Sequence, residues 1–393
     1  MTAPPSERPK PTISIVRATD AHAEVVAEFY RQVWDPEATA AAVTTGRSAE
    51  AMTNPAARGG EIPTYLFMSD RQVLGYVSTI PVRVWLPALG TEIDAAWVKG
   101  LMVLPSHRNG PIGVLVTKEL VKHHPVLLSL TVQTNAQRLF TALGFTQHGA
   151  LPTAMRILDP GAVLRSIDFD ALGLHGIPTS LRKGLRWLQR FGLAGMVGQV
   201  AGASFAVRGA LGPDGSTLET TIGQDPDDQS LDGLWRHARP SKHAAVIRDA
   251  AYLNYRYREA ERAAYTTVCA RRRDGSLAGV AFVREPRDGT DPRLRGIRIA
   301  TLSDIVYHEA EPQVAAALVR SAERCAKALG AHAIISSATV PGLSGLLRSR
   351  AWIRMPRTFH FSTHDFVGGD PRFPTSLDDW WLTRGDGRSD GGL

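Results

Sequence analysis

Apolar residues recur along this chain at two spacings, and the switches between them mark the elements. After a polar, proline-rich opening, residues 1–12, which is expected to be a disordered tail, strand-like ISIVRA (Ile13–Ala18) comes first. Thr19 or Asp20 can cap a helix over Ala21–Trp34, with Val25, Val26, Phe29, Tyr30 and Val33 on its apolar face. A second helical stretch covers Glu37–Ala51, and Asn54–Glu61 reads as a loop. Two strands follow, Thr64–Met68 and Val73–Pro81, joined by the turn Ser69–Gln72. Trp97–Leu104 is a further strand, ended by Pro105 because proline cannot donate to a sheet ladder. A basic, glycine-bearing turn, Ser106–Gly113, runs straight into the helical pattern of Ile112, Val114, Leu115, Val116, Leu120 and Val121. Val126–Val132 is a buried strand, and a short helix then ends in Leu143-Gly144-Phe145.

The second half repeats this order. Helical Leu231–Arg236 and Ile247–Arg258 precede two strands, Tyr265–Arg271 and Leu277–Arg284, with a hairpin turn at Arg272–Gly275. Leu277-Ala278-Gly279-Val280-Ala281 echoes Val73-Leu74-Gly75-Tyr76-Val77. A fourth strand (Arg298–Val306), a long amphipathic helix (Glu311–Leu329), a strand (Ala333–Ser336) and Leu343–Trp352 complete the parallel, so the chain reads as an internal duplication. Between the halves the pattern changes. Leu181–Phe191 is a basic amphipathic helix that either bridges the halves or, through Arg182, Lys183, Arg186 and Arg190, meets an anionic membrane surface.

With 393 residues, 44% of them hydrophobic and 21% charged, the chain can build two ordinary cores. Its two cysteines, Cys269 and Cys325, give neither a disulfide framework nor metal-ligand spacing. The opening lacks the apolar core of a signal peptide and no run is long enough to span a membrane, so a cytoplasmic protein is expected. A net charge of +7 fits either a solvated basic surface or an anionic ligand, and does not choose between them.

The chemistry concentrates at Ser106–Gly113. A strand, a glycine turn and a helix start together present unpartnered N–H groups at the positive end of a helix dipole, which is an anion site. Arg108-Asn109-Gly110-Pro111-Ile112-Gly113 resembles motif A of the GNAT (GCN5-related) acyltransferases, and Thr134–Phe145 resembles their motif B. The resemblance implies an α/β (α+β) chain of two tandem GNAT-like domains, each a mixed, mostly antiparallel sheet flanked by helices. These are 13–158, which binds acyl-CoA, and a degenerate 216–366, joined by a helical connector 159–215 and followed by a tail 367–393. It also implies that Arg108, Asn109, Gly110, Ile112, Gly113 and Val114 hold the diphosphate of acetyl-CoA or another acyl-CoA. Asn135 of motif B joins them as a binding residue, and a strand bulge offers the N–H of Met102 or Val103 to the thioester carbonyl.

Three family groups are replaced. Pro111 supplies no N–H, Trp97 stands where a base glutamate is common, and Phe140 stands where a tyrosine acid is common. Asp94 and His107 are the remaining candidates for the base. In the second copy Glu309 and Glu311 replace the glycine turn and would repel a diphosphate. Asp249-x-x-Tyr252-Leu253-Asn254-Tyr255-Arg256-Tyr257 and the ending Asp378–Gly387 are similar to signatures of tandem GNAT-like proteins from bacterial exopolysaccharide clusters. The phenols there either line an acceptor groove or pack on the second sheet, and Trp380-Trp381 either stacks on a sugar or pins the tail.

The implied function is transfer of an acetyl or other acyl group from acyl-CoA to an amine acceptor, an amino-sugar or related small molecule, without a metal or DNA. Two alternatives stay open. One is FemAB-like aminoacyl transfer from tRNA; the other is a catalytically silent binding protein, toward which Pro111, Trp97 and Phe140 lean. The oligomeric state is not set by these patterns.

Overall fold

The computed structural model describes residues 11–58, 62–131, 133–166, 218–259, 264–289, 294–365, 370 and 372–391. The expected disordered opening and the basic helix Leu181–Phe191 fall on residues outside these, apart from residues 11 and 12 of the opening.

β1 (Ile13–Arg17) leads through a single tight turn, where Thr19 N–H donates to His22 Nδ1, into α1 (Ala23–Val33). Thr39 caps α2 (Ala40–Thr53) by accepting from Ala42 N–H at 3.2 Å, so this helix starts later than the apolar pattern suggests. β2 (Thr64–Ser69) and β3 (Gln72–Leu86) turn at Asp70. β4 (Thr91–Val103) then precedes α3 (Ile112–His123), β5 (Val126–Thr131), α4 (Thr134–Ala142), β6 (Thr146–Ala150) and β7 (Thr153–Ile157). β3 and β4 form a hairpin longer than expected. Its far half buries Val82, Val84 and Leu86 against the second half of the chain, which local patterning cannot foresee.

The second half supplies β8 (Glu219–Ile222), β9 (Ala244–Val246), β10 (Tyr265–Arg271), β11 (Leu277–Asp288) and β12 (Arg298–Tyr307). β13 (Ala333–Ser337), β14 (Ile353–Met355), β15 (His360–Asp365) and β16 (Trp380–Trp381) follow, with the helix Pro312–Ala328 between β12 and β13.

The first sheet runs β1-β2-β3-β4-β5-β15-β6 and the second, read from its own first strand, β8-β10-β11-β12-β13-β7-β14. Along both paths neighbours are antiparallel except β4–β5 and β12–β13, which are parallel and each joined by a helix. The duplication read from the sequence therefore holds strand for strand, with one addition. The sixth strands are exchanged: β15, from the end of the chain, completes the first sheet, while β7, from the first half, completes the second. One core packs α1 and α3 against the first sheet, and the largest core runs from that sheet's Ile80, Trp97 and Leu128 into the second half at Tyr255 and Tyr257.

Candidate functional site

β4 and β5 pair at only two positions, Ala96 with Leu127 and Trp97 with Leu128. Beyond them β4 continues through Val98–Val103 and β5 through Ser129–Thr131, so the two strands part into a V. A bulge lies just past the fork. Lys99 faces Ser78 and Met102 faces Tyr76, which leaves Gly100 and Leu101 together opposite Val77. Gly100 has φ +65°, a left-handed backbone that glycine adopts at no steric cost. Met102 and Val103 follow at once on the open limb of the V.

The open end of the V meets the glycine turn. Gly110 N–H donates to His107 O at 3.0 Å, closing the turn, and the first bond of the α3 ladder is Leu115 N–H to Pro111 O at 2.9 Å. The N–H groups of Ile112, Gly113 and Val114 precede that bond and point out of the helix start, where the dipole favours an anion. Pro111 occupies the cap, a position that contributes its carbonyl to the ladder, so its missing N–H leaves these three in place. Arg108 is exposed, and its Nε donates to Val103 O at 3.3 Å, tying the turn to the end of β4. A Cβ at Gly113 would lie 3.6 Å from Val103 Cγ2 and 3.7 Å from Leu139 Cδ2. Helix α3, the end of β4 and α4 thus converge here, with exposed Asn135 on the first turn of α4.

The candidate bases separate. His107 is exposed on the turn, its Nδ1 2.9 Å from Ser106 Oγ, at the mouth of the V. Asp94 stands six residues before Gly100 along β4, which at strand rise is about 20 Å away. It pairs with Arg58 and lines a cavity of about 480 Å³ with Arg17, Tyr65, His123 and His124 at the far end of α3. Asp94 therefore does not join the site. Trp97 and Phe140 are core residues, 1% and 2% exposed.

One face of the sheet at the bulge is aromatic on one side and polar on the other. A Cβ at Gly100 would lie 3.3 Å from Tyr76 Cε1 and 3.9 Å from Trp34, and Tyr30 stacks obliquely on Trp34 with ring centres 4.5 Å apart. Burial, with Tyr76 adding to it, pushes the Tyr30 phenol far above its usual range. On the polar side Glu50 of α2 reaches Lys99, 3.9 Å from its Nζ. Tyr255 O–H donates to Glu50 Oε1 at 2.8 Å, and Arg388 Nη1 donates to Oε2 at 3.0 Å. Tyr255 in turn accepts from Arg388 Nη2 at 3.2 Å and from Asn54 Nδ2 at 3.3 Å. Burial raises the Tyr255 phenol, Arg388 opposes the rise and Glu50 adds to it. Of the three phenols singled out in the sequence, only Tyr255 turns to this cluster; Tyr252 and Tyr257 are buried in the second half, where Tyr257 donates to Asp304 at 3.0 Å. Glu50 and Arg388 belong to no motif, and they meet only through the fold.

The second copy has the same fork and fills it. β12 pairs with β13 from Ile299 to Thr301 and then leaves it, with a bulge at Ser303. The end of the chain lies in the gap: Gly385 N–H donates to Ser303 O at 2.7 Å, Thr339 N–H donates to Leu382 O at 2.9 Å, and Thr383 bridges Ala338. Arg248, fully buried, holds Asp304 at 3.0 Å and Asp386 at 2.9 Å. Where the first half has its glycine turn, Arg272 donates twice to Glu311 at 2.7 Å, so carboxylates stand where an anion would bind.

No protein-family model matches the chain, and no curated protein sequence does. Solved structures do. A protein from Enterococcus faecalis V583 described as "Probable N-Acyltransferase" aligns over 89% of this chain and 72% of its own, at 11% identity and TM-score 0.54. A GCN5-related N-acetyltransferase from Kribbella flavida aligns over 90% and 71%, at 11% identity and TM-score 0.51. The N-myristoyltransferase of Saccharomyces cerevisiae, with bound myristoyl-CoA, aligns over 91% and 84%, at 12% identity and TM-score 0.53. With its forked, bulged fourth strand and the helix start at the fork's mouth, this chain has the GNAT fold, laid out as two tandem copies.

Proposed function

We propose that the chain is an N-acyltransferase that moves an acyl group from acyl-CoA to an amine, using the fork of the first half alone. The observation that carries this is the coincidence, at one end of β4, of a V, a bulge and three N–H groups off the helix ladder. An extended pantetheine arm would lie between β4 and β5, past the last pair of their ladder at Trp97 and Leu128. Its diphosphate would sit on the N–H groups of Ile112, Gly113 and Val114 with Arg108 beside it. The thioester would then reach the bulge, where a main-chain N–H polarises its carbonyl. Acetyl is the acyl group taken first within this proposal. The second half, its fork taken by the chain's own end, serves as a brace and as one wall of the acceptor site. An amino-sugar acceptor stays within the proposal through the resemblance of the Asp249–Tyr257 segment and the tail.

Titration calorimetry with acetyl-CoA tests the donor site. The wild-type chain is expected to bind one equivalent, and Arg108→Glu to weaken binding by about 10-fold or more, the scale of one lost charge-assisted contact. Equal affinity in the two would remove the assignment.

A further inference from the structure

We infer that the second half carries a binding site for a phosphate dianion, either free or borne by a small phosphomonoester. The site is a cavity of about 180 Å³ between the helix Leu343–Ser349 and strands β7 and β14. Arg348 of that helix, Arg354 of β14 and Arg357 just beyond the strand line it, and among the described residues no acidic side chain does. All three arginines are exposed, so a solute reaches them from solvent. Among the described residues none of the three makes a side-chain hydrogen bond or ion pair. The sequence shows the same bias: between Glu323 and Asp365 it holds six lysine or arginine residues and no carboxylate. Glu323 accepts from Nε1 of Trp352, a wall residue, at 2.8 Å, but it is already paired with Arg350 at 2.7 Å and Arg156 at 3.6 Å. With those two partners it leaves a further positive charge beside the cavity.

Three guanidinium groups around one hollow repel one another, and a bound anion relieves that repulsion. Each presents a planar fork of N–H donors that suits an oxyanion. A phosphomonoester at neutral pH carries about two negative charges and offers three oxygens, whereas a carboxylate has one charge and two oxygens, so the phosphate matches three forks better. The floor is apolar, with Leu343, Leu347 and Trp352 buried. At about six water volumes the cavity takes a phosphate and the carbon that bears it, and leaves the rest of a larger ligand outside. The duplication supplies a comparison. The corresponding place in the first half, between α4 and strands β6 and β15, is lined by Arg138 as its only arginine, with Thr134, Gln137 and His360. The three arginines are therefore a property of the second half and not of the repeated fold. The cavity shares no residue with the turn at Arg108–Val114, and the inference does not rest on acyl transfer.

Titration calorimetry at fixed ionic strength tests the site, with glucose 6-phosphate, inorganic phosphate, acetate and glucose as probes. The wild-type chain is expected to bind glucose 6-phosphate saturably, acetate about 10-fold more weakly or less, and glucose not at all. Arg348→Gln and the double variant Arg354→Gln with Arg357→Gln are compared with it, with melting temperature followed for each. Because these side chains are exposed and unpaired among the described residues, the melting temperatures should stay at the wild-type value. Each variant should raise the Kd for glucose 6-phosphate about 10- to 100-fold, the scale of a hydrogen bond to a charged group. Tighter binding of glucose 6-phosphate than of inorganic phosphate supports the site with a phosphomonoester as its ligand, and equal binding supports it with the free ion. Arg108→Glu, which alters the donor turn, should leave glucose 6-phosphate binding unchanged. The inference is overturned if the wild-type chain shows no saturable phosphate binding, or if the arginine variants keep its affinity. A loss with Arg108→Glu as large as theirs also overturns it, because the phosphate then sits at the donor turn. Failure to bind acetyl-CoA defeats the acyl-transfer reading and leaves this one standing.

Discussion

Gly75 and Gly279 occupy the same place in the two copies, each opposite the last residue of the forked strand, Val103 and Tyr307. A Cβ at Gly75 would collide with Ile112 Cγ2. One at Gly279 would lie 2.7 Å from Val314 and 2.9 Å from Leu318. Both glycines let the following helix settle on the sheet, and in the first copy that contact aims the helix start at the fork. Gly75→Val should cost about 1–3 kcal/mol through overpacking and weaken acetyl-CoA binding together with it, whereas Gly279→Val should cost stability alone. Chemical denaturation beside calorimetry separates the two. At His124 the signal is pH. Its Nε2 is buried with no hydrogen-bond partner among the described residues, and burial first, then the charges of His123 and Arg17, lower its pKa from 6.5 to about 4. The folded chain keeps this ring neutral where the unfolded chain protonates it, so the unfolded state binds the extra proton and stability falls as pH drops from about 6.5 to about 4. His148 and His364 shift the same way, mainly by burial. The melting temperature should decline across that window, and His124→Gln should flatten part of the decline.

Among the elements, the Asp249–Tyr257 segment and the end of the chain explain each other. Asp249 caps the helix Ala250–Asn254 and pairs with Arg83 of β3. Arg256 donates to Gly385 O at 3.0 Å and pairs with Asp390 at 2.5 Å, and Tyr257 meets Asp304 beside Arg248. Two segments that look like separate signatures are one docked unit, and their aromatic residues are mostly packing. Trp380 and Trp381 are fully buried, with β16 alongside β9, so they pin the tail and present no face to a sugar. Arg248→Ala should leave the Asp304 and Asp386 carboxylates buried without their counter-charge and cost about 3–5 kcal/mol, read from denaturant unfolding. Gly385→Val should unseat the tail, because a Cβ there would press on Ser303 O at 2.8 Å as well as on the Tyr257 phenol. Loss of the tail would also withdraw Arg388 from Glu50.

For the whole molecule, the exchanged strands decide how it folds. β15 lies between β5 and β6, and β7 between β13 and β14, so cutting the chain between the halves leaves each sheet broken at its sixth strand. Residues 1–158 and 216–393 expressed apart should each lack a cooperative melting transition, and co-expression should restore one. The halves also join where β9 pairs with β3, and Tyr255 and the tail come upon Glu50 of the first half. Among the described residues no helix is long and apolar enough to cross a membrane.

Local pattern determined much of this protein. Alternating apolar residues specify strands, proline and glycine end them, and a three-to-four-residue period specifies helices. The elements from β1 to β5, those from β10 to β13 and their repeated order therefore stood in the sequence, whereas the exchanged strands β7 and β15 did not. That Trp97 and Phe140 are apolar needed no coordinates, and the fold places both in the core. The tertiary structure alone decided which distant residues touch. Glu50, Lys99, Tyr255 and Arg388 come from four elements spread over more than 300 positions, and they meet only in the fold. A period along the chain reports which face is buried. It carries no information about what a distant segment lays against that face, and here such segments hold the Glu50 carboxylate.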